Sequence, residues 1–322
     1  MNIKKIGLTA LAGSLVATSA FAGSMSVSGG ASLNVEHTNG GAADTGKTYS
    51  MGNQLTFTGS GELDNGLNVS LSFIIDQNDD KSATYTAKSS NAGTPFDSHS
   101  VTISSDTLGS FTFHGEGGDS ATGANDTSAA GNIWDNFDDA GAITPTAVGG
   151  GDNTMNYTLP SLMDDVSIFA SYSPSGSAAE SAVGYGVTYT GVEGLSVTYA
   201  HGDGTTVGGG TDQTVMKASY AMGPITVAVS DHEYDTAGTS ADNEMRGYKL
   251  SYTVTDELSV TYGAETIEEG TSEDVETTSL SASYTAGGMT LTAAMQEIEN
   301  IDGSTTSTED RERWALSASF AF

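Results

Sequence analysis

Cysteine is absent from this 322-residue chain, which excludes disulfides, thiolate metal sites and thiol redox chemistry. Basic residues are scarce, ten Lys and Arg against 41 Asp and Glu. Such an imbalance argues against nucleic acid or an anionic surface as partner and favours small cations. Long hydrophobic runs are missing as well. Beyond residue 22 no apolar stretch approaches the ~20 residues a spanning helix needs, so any passage through a bilayer must use strands. Proline is rare, with five residues, while glycine is abundant, with 41.

The first 22 residues hold Lys4 and Lys5, an apolar stretch from Ile6 to Val16, and a small-residue exit at Ala20, Phe21 and Ala22. That is the layout of a secretory signal cut after Ala22, too short and wrongly flanked for a membrane helix. Loss of its two lysines leaves eight bases against 41 acids in the mature segment 23–322, a net charge of −33. Disorder is the obvious reading of so polar a chain, but 10 Phe and 13 Tyr set in regular alternation argue for folding.

Alternation is what the chain does have. In the final run Trp314, Leu316, Ala318, Phe320 and Phe322 alternate with Ala315, Ser317, Ser319 and Ala321. Neighbouring side chains of a strand point to opposite faces, so one face is apolar and the other small and polar. Sixteen such segments follow residue 22, among them Leu67 to Ile75, Val183 to Tyr189 and Leu258 to Tyr262. Short connections (191–194, 222–224, 255–257, 287–288) interleave with long acidic ones such as 233–244 and 298–310. The pattern predicts an all-β, single-domain fold, a 16-stranded antiparallel transmembrane β-barrel with long extracellular loops at one rim and short periplasmic turns at the other. A soluble sandwich would alternate too, but its outward face would carry long charged side chains; here the second face is Ser, Thr, Ala and Gly. No short fixed repeat supports a solenoid.

The longest connection, 115–152, contains Glu116, Asp119, Asp126, Asp135, Asp138 and Asp139, with Trp134 and Phe137 among them. Rings three apart pin a helical turn against the barrel wall, so this third loop is expected to fold inward. Parity puts Lys217, Lys249, Arg311 and Arg313 on the polar face. Few lumen-facing bases against an acidic loop create a transverse field that tunes ion selectivity, unless the bases simply pair with rim acids such as Glu309 or Glu312. The clusters Asp76, Asp79, Asp80 and Glu268, Glu269, Glu273, Asp274 offer oxygen ligands for Ca²⁺, though neither has the spacing of a dedicated calcium loop. No cofactor is implied otherwise. No nucleophile elbow, phosphate-cradling loop or helical His pair is present, which argues against an enzyme.

The export signal, the sixteen alternating strands, the acidic third loop and the terminal Phe322 resemble the general diffusion porins of Gram-negative outer membranes, particularly the acidic alphaproteobacterial kind. The resemblance implies a homotrimer of water-filled barrels in outer-membrane lipid, passing small hydrophilic solutes and ions, with the third loop as constriction and Phe322 read by the barrel-assembly machinery. It also implies a dense arginine cluster on the wall. This chain has three arginines, so only a weak cation preference is expected. A solute-specific porin, or an adhesin or structural barrel, are the alternatives.

Overall fold

The computed structural model describes residues 23–40, 46–76, 96–137, 148–174, 181–206, 209–236, 242–269, 273–303 and 310–322. The expected signal segment and Asp79, Asp80, Asp138, Asp139 and Glu309 lie outside these. The strands are β1 Ser24–Asn39, β2 Thr48–Glu62, β3 Asn68–Asp76, β4 Phe96–Ser105, β5 Gly109–Glu116, β6 Met155–Thr158, β7 Val166–Ser173 and β8 Ala182–Tyr189. They continue with β9 Leu195–Thr206, β10 Gly209–Met222, β11 Ile225–Thr236, β12 Asn243–Thr253, β13 Leu258–Glu269, β14 Val275–Ala286, β15 Met289–Glu299 and β16 Arg311–Ala321. Each pairs antiparallel with the next, and β1 pairs with β16 from Gly30 opposite Ala321 to Asn39 opposite Glu312, closing the barrel. Closure leaves no edge strand with unpaired backbone groups, a requirement in hydrocarbon.

Exposed large apolar side chains hold one parity on each strand, as with Val183, Tyr185, Val187 and Tyr189 on β8 or Tyr248, Leu250 and Tyr252 on β12. Tyr189, Tyr220, Tyr252 and Tyr284 recur near the short turns, the position of an aromatic girdle at a membrane interface. The opposite parity carries cross-strand hydroxyl pairs at 2.9–3.0 Å: Thr102 with Thr112, Thr188 with Thr198, Ser251 with Thr261, and Ser283 with Thr292. The outside is therefore apolar and the inside hydroxylic, as the alternation predicts.

Two expectations need correction. The connection predicted over 233–244 is shorter, because β11 runs to Thr236 and β12 begins at Asn243. Likewise Gly115 and Glu116 belong to β5, so the third loop starts at 117. The alternation there is real but its outward members are acids. Asp203 lies opposite Asp212, Asp212 opposite Asp235, Glu233 opposite Glu244, Glu276 opposite Glu299, and Glu297 opposite Glu312. Like charges directly opposite one another repel, and are tolerated only in water. This acidic belt therefore marks where the outer wall leaves the apolar part of the bilayer on the loop side.

Candidate functional site

Among the described residues, the apolar side chains buried together lie within the lumen rather than between sheets. Ile133 and Phe137 of the third loop pack with Met245, Ile267, Val275, Ile298 and Ile301, and Ala130 and Trp134 lean on the cluster. Met245, Ile267, Val275 and Ile298 all have the inward parity of their strands. The turn presenting the loop side chains is the 3-10 segment Ile133–Asn136, entered through Asn132 in the left-handed conformation (φ 53°). The Asn132 side chain accepts the Ser128 N–H at 2.8 Å, and the Ser128 hydroxyl accepts the N–H groups of Ala130, Gly131 and Asn132 at 3.0–3.1 Å. The loop thus carries its own rigid tip.

A wall carboxylate holds that tip. Glu265 of β13, 2% exposed, accepts the Ser128 hydroxyl, the Trp134 N–H at 3.2 Å and the Thr277 hydroxyl at 3.1 Å. Three donors offset the desolvation of a buried acid. Further along, the wall donates and accepts in turn. Ser171, Ser230 and Ser173 take the N–H groups of Ala121, Ala129 and Gly150 at 2.8 Å, Gln213 takes that of Val148 at 3.1 Å, and Lys217 donates to the Thr127 carbonyl at 2.7 Å. Every one of these wall residues has lumen parity, so the described loop residues 121–134 and 148–150 lie inside the barrel between β7 and β14. Four inward glycines give it room. A Cβ on Gly184, Gly202, Gly247 or Gly263 would lie 3.0–3.2 Å from loop atoms of Ala121, Thr122, Ser128 and Ala130 respectively. His232 and Gln213, buried in this seat, keep both imidazole nitrogens and the amide nitrogen respectively without hydrogen-bond partners.

The sequence-predicted acids separate. Glu116 ends β5 with His99 at 3.8 Å. Asp119 and Asp135 are exposed on the loop, whereas Asp126 is partly buried. Burial raises the Asp126 carboxyl above its ordinary 3.8, Asp119 adds to the rise, and Lys217 opposes it. Asp126, Asp119 and Lys217 therefore share one stretch of lumen, with Lys249 close enough to act on Lys217. The other bases stand apart. Arg313 binds Glu36 of β1 and Gln296 of β15, and Arg311 is buried at the wall. Glu312, an expected partner of these arginines, points outward beside them. Arg246 faces outside, so no arginine cluster lines the lumen among the described residues. At the seam Gly29 leaves room for the Phe322 ring, and Phe322 exchanges backbone hydrogen bonds with Gly29 at 2.7 and 3.0 Å. Among the described residues no group of three or more His, Asp or Glu is set to hold a metal ion. Sequence reasoning missed Glu265, Glu36 and the glycine seat, each of which has the inward parity that marks the lumen.

Solved structures share this architecture at low identity. The anion-selective porin from Comamonas acidovorans superposes with a TM-score of 0.72 at 16% identity, covering 93% of this chain and 100% of that one. OmpT of Vibrio cholerae in its trimer form gives 0.67 at 15% identity, over 94% and 100%. A mutant of the Rh. blastica porin gives 0.66 at 15% identity, over 93% and 100%. A comparison with curated protein sequences finds no match. The family model described as Gram-negative porin matches residues 7–263 and 217–322, nearly the whole sequence, and the chain belongs to that family of outer-membrane channels.

Proposed function

We propose that this porin is a passive, weakly cation-preferring channel for small hydrophilic solutes and ions, with the loop 117–154 as its constriction. The observation that carries the reading is the balance of lumen charge beside the loop. Asp119, Asp126 and Asp135 ride on the loop with Glu265 on the wall behind it, Glu36 offsets Arg313, and Lys217, Lys249 and Arg311 are the remaining bases of lumen parity. In a narrow passage with low-dielectric walls a permeating ion keeps fewer waters, so even a small excess of acids tilts selectivity. The likeness to an anion-selective porin is one of backbone; selectivity belongs to side chains, and at 16% identity these differ.

The test is the reversal potential of the reconstituted channel in a tenfold KCl gradient. It should carry the sign of K⁺ selectivity, and the triple change Asp119→Asn, Asp126→Asn, Asp135→Asn should move it toward zero or beyond. An anion-selective wild type, or an unmoved potential in the variant, would discard the charge assignment. The OmpT trimer form makes a homotrimer the assembly to expect, in outer-membrane lipid and with Phe322 recognised during barrel assembly. The family and fold are those of non-enzymatic channels.

A further inference from the structure

Two rows of inward side chains seat the third loop across β10 to β14, and one residue does not fit its row. The row nearer the short turns is Lys217, Ser230, Gly247, Glu265 and Thr277, each directly opposite the next across the strands. It grips the loop by hydrogen bonds and, at Gly247, by leaving room for it. The next inward row toward the long loops is Val215, His232, Met245, Ile267 and Val275, again directly opposite one another, and none is more than 3% exposed. Every member but one is apolar. His232 is fully buried there with neither ring nitrogen hydrogen bonded.

An enclosed polar ring without a partner destabilises the seat in a way that leucine at this position would not. An imidazolium would be worse, an ion shut between Val215, Met245 and the loop. The charged and titratable groups around it give no compensation. From β10 comes Lys217, of like sign, and the inward base of β12, Lys249, lies farther toward the short turns. Glu265 of β13 already accepts three donors, and Asp126 of the loop faces Lys217. Asp231 and Glu233 on β11 itself, and Glu244 and Arg246 on β12, have outward parity. The seated loop therefore requires a neutral ring, and water must reach His232 before it can hold a proton.

We propose that His232 is a proton-operated release for the third loop: with the ring neutral the loop stays seated, and protonation lifts it from the apolar row. A proton held only by the released form pulls the equilibrium toward that form, so seating weakens as pH falls. Asp126 acts in the opposite sense, because the seated loop favours its protonated form. Glu265 is the rival, since a protonated carboxyl loses an acceptor for the loop.

Trp134 reports seating directly, whether or not the loop sets the conductance. In a Trp314→Phe parent it is the only tryptophan of the chain. With the parent folded in detergent micelles, acrylamide quenching of Trp134 should rise severalfold from neutral pH to about pH 4, while heat-modifiable migration on gels shows the barrel intact. Added to that parent, His232→Leu completes the apolar row and should keep Trp134 protected over the whole range. His232→Arg, a permanent charge, should expose it already at neutral pH. Equal protection of Trp134 at both ends of the range in the parent would overturn the assignment. So would an acid transition of undiminished size in His232→Leu, which would move the titration to Glu265.

Discussion

At the scale of single residues, Glu265 and Asp126 do opposite things with burial. Glu265 is surrounded by donors, so removing it strands the Ser128 hydroxyl, the Trp134 N–H and the Thr277 hydroxyl. Each buried donor left unpaired costs about 1–3 kcal/mol, and the loop can relieve that only by shifting. Glu265→Ala should raise open-channel noise and conductance in single-channel recordings, with Glu265→Gln, which keeps two acceptor lone pairs, showing a smaller change. A recording for Glu265→Ala indistinguishable from wild type would show that the apolar cluster alone holds the loop. Asp126 has few such donors, and burial raises its carboxyl above 3.8. A raised carboxyl favours the protonated form in the folded loop, so its stabilising contribution is present at low pH and is lost as pH rises through the raised value. The selectivity consequence runs the same way. The Asp126 charge disappears at a higher pH than an ordinary aspartate would allow, so cation preference should fall as pH drops from 7 toward 4. In Asp126→Asn that fall should be shallower; a pH profile of reversal potential identical in the two proteins would count against it.

The third loop and its seat belong to the scale of elements. The glycine floor predicts that Gly247→Leu dislodges the loop, because even a Cβ there lies 3.0 Å from Ser128 Cβ and 3.1 Å from the Ala129 nitrogen. Gly59→Ala on β2 is the control, since a Cβ at Gly59 meets nothing within 4 Å. Conductance should change in the first and not in the second, both forming barrels of normal electrophoretic mobility. This seat also marks the limit of what the sequence displays. Strand parity is written in every segment, because bilayer contact demands an apolar residue at each outward position; Leu258, Val260 and Tyr262 of β13 suffice to place that strand. Glu265 lies seven residues beyond Leu258 with the correct inward parity, yet nothing local separates an acid that grips a loop from one that lines water. That distinction depends on Ser128 and Trp134, more than 130 residues away. The acids of 233–244 misled for a related reason: above the apolar band a strand needs no apolar residues, so its ends look like loop. Trp134 and Phe137 were informative because rings inside a polar stretch have to be buried somewhere, and Phe137 is.

At the scale of the whole molecule, stability comes from a closed ladder, with the apolar surface turned outward into lipid rather than gathered in a central core. A signal-free chain should therefore fail to remain folded and monomeric in detergent-free buffer, because dozens of large side chains from Met25 to Phe322 face outward. Closure itself hangs on the β1–β16 seam, and Phe322 contributes there in two separable ways. Its backbone N–H and carbonyl both bond to Gly29, while its ring, still 73% exposed, rests over Gly29 and near Leu55. So exposed a ring gives up little water, whereas two peptide hydrogen bonds contribute about 0.5–1.5 kcal/mol each. Deleting Phe322 should therefore lower the yield of heat-modifiable barrel on refolding into micelles by more than Phe322→Ala does, since the alanine keeps both backbone bonds. In cells the order should differ: if the ring is what assembly machinery reads, Phe322→Ala should reduce outer-membrane levels nearly as far as the deletion. Equal refolding yields for the two variants would remove the seam from the account. A Phe322→Ala protein that assembles in cells at wild-type levels would remove the ring.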